Sequence, residues 1–112
     1  MDMTLLDAAF RLVSHSLQAQ DARAVPLLTD EARLAELRRQ FPQADARAVA
    51  EAYARARRLE DTAVALADAA HGPGDGRRGP PLTWQALAER CPGFSDASYG
   101  WAVNDGFILT RK

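Results

Sequence analysis

From Asp45 to His71 the chain runs without a glycine or a proline. Its apolar side chains there recur in steps of three and four: Val49, Ala52, Ala56, Leu59, Ala63, Leu66 and Ala70. An α-helix sets residues at that spacing in one row; a strand, with its period of two, scatters them over both faces. The stretch predicts a single rod of about 26 residues, roughly 39 Å long at 1.5 Å per residue. The row is heptad-like and mostly alanine, so a neighbouring helix can approach it closely. Two occupants fit: earlier helices of the same chain, or a second copy, which would make a homodimer through the Val49–Ala70 seam. Glu51 with Arg55 and Arg57 with Asp61 stand four residues apart, the spacing of ion pairs on the outward face.

Two helices are expected before the rod. Thr4 caps the first, with Asp7 three residues on, and Leu6, Phe10, Val13 and Leu17 mark one face of a helix that fades near Gln20–Asp21. A connector containing Pro26 follows. Thr29 caps the second helix, Asp30 and Glu31 occupy its first turn, and Leu34, Leu37 and Phe41 form its apolar stripe. Pro42 stops it, because the residue before a proline is driven out of the α region.

Beyond the rod, Gly72, Gly74, Gly76, Gly79, Pro73, Pro80 and Pro81 crowd into residues 72–81, a composition that holds no regular structure. This predicts a flexible linker between a three-helix body (1–71) and a two-helix segment (82–112). In that segment Thr83 caps one short helix, offering Trp84, Leu87 and Ala88 for burial, and Cys91-Pro92-Gly93 breaks it. Ser95 caps a second, with Tyr99, Ala102 and Val103 on one face. Asn104-Asp105-Gly106 has the chemistry of a turn and is expected to end it. Phe107, Ile108 and Leu109 then form an apolar tail. Both tryptophans lie in this segment, which either builds its own aromatic core or docks on the body. The fold class expected is all-α: a small helical bundle with one long helix, a Gly/Pro-rich hinge and a C-terminal helical hairpin.

The 112 residues carry a net charge of −1, so no overall basic field holds a nucleic-acid backbone. With Cys91 as the lone cysteine, no disulfide forms within the chain. The amino-terminal residues lack a signal-peptide pattern, and no apolar run approaches the roughly 20 residues that span a bilayer. A cytoplasmic protein without membrane contact is the expectation.

No constellation for chemistry emerges. Asp68 and His71 have the i, i+3 spacing of helical metal ligands, but they supply two ligands where a site needs three or four. His15 falls off the apolar stripe and is expected to face solvent. Cys91 lacks a neighbouring base and reads as a packing residue. The linker glycines precede no Lys-Ser/Thr and make no phosphate loop. Paired acids such as Glu60/Asp61 read as solvated helix surface. Arg38, Arg39, Arg55, Arg57 and Arg58 are interleaved with acids and read as a salt-bridged face. No enzymatic activity, cofactor or metal is therefore expected.

Two segments resemble known modules. Phe41-Pro42 through Leu66 is similar to the ubiquitin-binding CUE module and its UBA relatives, three-helix bundles with Phe-Pro closing the first helix. That resemblance implies a chain break near Arg57-Arg58-Leu59, where this sequence runs on. Leu82 to Ile108 resembles the helix-turn-helix of excisionase-like and MerR-like DNA binders. It implies a transcriptional regulator with Ser95, Ala97, Ser98, Tyr99 and Trp101 facing DNA, although that helix holds no Arg or Lys.

The function expected is a non-enzymatic protein–protein interaction module, a small adaptor, regulator or assembly subunit. Its partner is a protein or a second copy, with nucleic acid the alternative. Trp84, Phe94, Tyr99, Trp101 and Phe107, flanked by Arg77 and Arg78, are the candidate contact residues, because aromatics dominate interface energetics.

Overall fold

The computed structural model describes residues 4–20, 29–70 and 82–110. Those residues form six helices and no strand: α1 (Leu5–Val13), α2 (His15–Gln20), α3 (Asp30–Gln40), α4 (Ala46–Ala70), α5 (Trp84–Arg90) and α6 (Asp96–Thr110). The foreseen rod is α4, unbroken over 25 residues. It passes through Arg57-Arg58-Leu59 without the interruption that the CUE-like resemblance implied.

Around α4 the chain folds on itself. Val49, Ala52, Ala56, Leu59, Ala63 and Leu66 are all buried, and α1 and α6 are the helices that chiefly cover α4. Of the two occupants open to this seam, helices of the same chain fill it among the described residues. Few large side chains are fully enclosed: Phe10, Leu37, Leu59, Leu87 and Val49 lead them. Each contributes about 1.5–3 kcal/mol by burial, whereas an alanine contributes little.

The caps lie where the sequence places them. Thr4, Thr29 and Thr83 each accept a backbone N–H from three residues on, closing the first turns of α1, α3 and α5. Phe41, ahead of Pro42, ends α3, and its N–H still reaches the Leu37 carbonyl. The turn after α5 needs Gly93, whose φ of +105° suits no other residue. Tyr99 fastens this turn: its hydroxyl donates to the Cys91 carbonyl at 2.7 Å and accepts the Phe94 N–H at 3.3 Å. Arg55 adds a bond to the Pro92 carbonyl rather than standing on the surface with Glu51.

Both sides of the expected linker enter one core. Phe10 of α1 meets Phe94 edge-on at 6.1 Å, and Phe94 meets Tyr99 at 6.0 Å. The aromatic cluster of residues 82–110 is thus docked on the helical body and shared with it. Residues 72–81 themselves lie outside the described residues.

Two boundaries differ from expectation. The first helix is broken at Ser14, whose ψ of 124° is extended, so α1 and α2 are separate. The last helix runs through Asn104-Asp105-Gly106 to Thr110 and takes in Phe107, Ile108 and Leu109. One set of contacts explains both.

Candidate functional site

At the α1–α2 break the backbone N–H groups of a new helix start are free of intrahelical partners. Ser14 caps them locally, its Oγ accepting the Leu17 N–H at 3.3 Å. Two carboxyl groups from distant elements take the rest. Glu60 of α4 accepts the His15 N–H through Oε2 at 3.1 Å. Asp105 of α6 accepts the Ser16 N–H through Oδ1 at 3.0 Å and the Ser14 hydroxyl through Oδ2. Asn104 donates to Ser16 Oγ at 3.0 Å. Asp105 thus does not fold back on its own backbone to make a turn. Its side chain is committed to α2, and the helix carries on.

Gly106 makes that approach possible. A Cβ there would lie 2.7 Å from the Ala63 carbonyl oxygen and 2.7 Å from Leu82 Cδ2. The glycine reads as a turn in the sequence, yet it serves as the point where α6 presses on α4.

Glu60 and Asp105 are both buried, at 8% and 0% exposure, so neither is the solvated surface acid that the sequence suggested for Glu60. Burial, then the neighbouring Asp105 carboxyl, push the Glu60 carboxyl up to about 8. Glu60 Oε1 has no hydrogen-bond donor among the described residues. A proton on Glu60 resolves that deficit, because it makes the pair a donor and an acceptor instead of two acceptors. A third acid, Asp7 of α1, binds the start of α6 by accepting the Ser95 N–H at 2.9 Å and the Ser98 hydroxyl at 2.7 Å.

The candidate contact residues divide. Phe94 and Tyr99 are buried, at 9% and 4% exposure, and belong to the core. Trp101 is half-buried. Trp84 and Phe107 are open to solvent at 49% and 43%. Arg77 and Arg78 lie outside the described residues. Sequence reasoning passed over Ile108 and Leu109, each 44% exposed. Three consecutive half-exposed residues cover about 200° of a helix at 100° per residue, so most of the last turn of α6 is open on its sides. Leu82 rests against Gly106, which sets the start of α5, with Trp84, beside that turn. Among the described residues the exposed large apolar side chains are thus Trp84, at the start of α5, and Phe107, Ile108 and Leu109, in the last turn of α6.

The arginine face resolves into local partners. Arg57 pairs with Asp30 at 2.6 Å, and Arg39 pairs with Glu36. Asp30 also accepts the Tyr53 hydroxyl, and these bonds, the Tyr53 hydroxyl foremost, hold its carboxyl below the usual range. Arg38 and Arg58 remain at the surface. Of the positions assigned to DNA, Ser98 and Tyr99 face inward, and Ser95 and Ala97 are exposed. Cys91 is a buried free thiol, 3.7 Å from Thr62 Oγ1. His15 is exposed, while His71 lies outside the described residues. Among the described residues no three potential ligands cluster as a metal site, and no helix is long and apolar enough to cross a membrane.

Among the described residues these features define a small all-α protein with a buried acid pair and exposed large apolar side chains at the start of α5 and the end of α6. Comparison with protein-family models, with curated proteins and with solved structures gave no match.

Proposed function

We propose that the chain is a non-enzymatic protein–protein interaction module that binds its partner through the apolar end formed by Trp84, Phe107, Ile108 and Leu109. The supporting observation is the last turn of α6, where three consecutive large apolar side chains are exposed at 43–44%. Single exposed apolar residues are ordinary; contiguous ones mark contact surfaces. Tryptophan and phenylalanine give such a surface large contact area at small entropic cost. Nothing in the exposed face of α6 favours nucleic acid. The helix contains Asp96 and no Arg or Lys between Asp96 and Thr110, and phosphate contacts draw on those cations.

The test compares the wild-type protein with Trp84→Ser and Ile108→Asp as bait. Both variants should keep the wild-type circular dichroism and lose the partner. Binding that survives high salt supports the apolar surface. Binding to non-specific duplex that collapses as salt rises would replace this function with nucleic-acid binding. Equal capture of the same partner by wild type and both variants would remove the apolar end from the function.

A further inference from the structure

The buried acid pair is independent of whatever the apolar end binds. Glu60 and Asp105 come from different helices and converge on three consecutive residues, Glu60 on His15 and Asp105 on Ser14 and Ser16. With the Asn104–Ser16 bond and the packing of Leu17, they tie α2 to α4 and α6. The groups that act on Glu60 are Asp105 across the interface, the His15 N–H, and Asp61 on its own helix. From α6 the cluster also receives Asn104, which bonds Ser16, and from the α1–α2 break the Ser14 hydroxyl. The His15 side chain is exposed and Asp61 is exposed. The pair is thus two acids balanced by N–H and O–H dipoles.

We propose that the Glu60–Asp105 pair is a proton-operated latch: one proton held between the two carboxyls keeps α2 on α6, and its loss releases α2. With the proton present, every oxygen of the pair has a donor or serves as one. Without it, two like charges face each other in a dry site, and Glu60 Oε1 is an acceptor with nothing to accept. The relief is local, because α2 spans only His15–Gln20. A helix that short does not persist without its tertiary contacts. Its release returns the His15 and Ser16 N–H groups and both carboxylates to water, and uncovers the flank of α6 next to Phe107. The position of Glu60's titration, about 8, places the switch within reach of ordinary alkaline shifts.

Carbon-detected NMR of the full chain tests this without relying on amide protons. The Glu60 side-chain carboxyl carbon and the Cα shifts of residues 15–20 are followed from mildly acidic solution to about pH 9.5. The latch requires the Glu60 carboxyl to titrate on the alkaline side of neutrality. The helical Cα shifts of residues 15–20 must fall to coil values along the same curve while those of α4 stay helical. Glu60→Gln, a permanent stand-in for the protonated acid, should keep α2 helical throughout. Asp105→Asn should move the Glu60 midpoint down. Three wild-type results each overturn the proposal: a Glu60 titration in the ordinary carboxylate range, an alkaline titration with α2 unmoved, or loss of all helices together.

Discussion

Alanine substituted at two glycines of the same helix should move stability in opposite directions. Gly100 and Gly106 both lie inside α6. At Gly100 an added Cβ meets nothing within 4 Å, so Gly100→Ala gains helix propensity and reduced freedom of the unfolded chain, about 0.5–1 kcal/mol. At Gly106 the same methyl group lands 2.7 Å from the Ala63 carbonyl oxygen and 2.7 Å from Leu82 Cδ2. The first of these is backbone of the longest helix and does not rotate away. Ordinary contact requires roughly 0.7 Å more, and α6 can supply it only by backing off α4. Overpacking of that kind costs about 1–3 kcal/mol. The propensity gain of about 1 kcal/mol offsets part of it. Retreat of α6 also stretches the Asp105 bonds to Ser14 and Ser16, which removes more. The net expectation is a loss of about 1–2 kcal/mol for Gly106→Ala, and a gap of about 2–3 kcal/mol between the two variants. Urea unfolding followed by far-UV circular dichroism reads both midpoints, with the m value showing whether the native state loosened. Equal shifts in one direction, or a Gly106→Ala protein as stable as Gly100→Ala, would refute the close α4–α6 contact.

Other perturbations act on the same contacts. For Glu60, the folded state binds a proton that the unfolded carboxyl, near 4.5, has already released, so stability is greatest below that value and declines as pH rises toward about 8. The slope approaches about 1.4 kcal/mol per pH unit in that window, and Glu60→Gln should flatten it in urea titrations across pH; a wild-type curve already flat there would contradict the burial argument. Asp7 works in the other sense: burial raises its carboxyl, but hydrogen bonds from Ser95, Ser98 and Thr4 outweigh that and leave it below 3.8. Its contribution is present above 3.8 and fades in stronger acid, so Asp7→Ala should lose more stability at neutral pH than near pH 2 by the same assay. Tyr99→Phe leaves the Cys91 carbonyl and the Phe94 N–H without the hydroxyl that joins them, at a cost of about 1–3 kcal/mol; thermal unfolding unchanged from wild type would show that water replaces it.

The sequence displayed most of the helices, and its failures share a cause. Helix periodicity, threonine caps and the Phe41-Pro42 stop are local signals, and α3, α4 and α5 follow them closely. The α1–α2 break is not local. Leu6, Phe10, Val13 and Leu17 continue a helical stripe across Ser14, and only carboxyls from residues 60 and 105 make an interruption there favourable. Asn104-Asp105-Gly106 failed in the opposite sense: three turn-forming residues sit inside a helix because each serves a neighbour, Asn104 and Asp105 at α2 and Gly106 at Ala63. A signal was available. Glu60 stands in the helical row Ala56, Glu60, Ala63, Ala67, where the flanking positions are all buried. Asp105 lies beyond the buried Ser98 and Ala102 at steps of four and three. An acid at an apolar register position points to a buried partner, and two such acids in one chain point to each other. For the candidate site, Trp84 and Phe107 were named from composition, whereas Ile108 and Leu109 were hidden by the expected turn.

The thin core and the buried acids are one phenomenon. Leucines along α4 would hold its neighbours farther away; alanines, with glycine at position 106, let α6 come within contact of the α4 backbone. At that separation little apolar surface is available to bury, so cohesion must come from groups that act over short distances. Hydrogen bonds to charged or shared-proton carboxyls are the strongest of those in a dry site. They also demand one register: a shift of α6 by a single residue would carry Asp105 away from Ser14 and Ser16 and bring a Cβ onto the Ala63 carbonyl. The pair therefore selects how α6 docks as well as adding to its stability. That selection fails if Glu60→Met with Asp105→Leu, which removes both acids together, leaves a protein whose side-chain NMR spectrum is as sharp as that of the wild type and whose Phe107–Leu109 turn keeps its shifts.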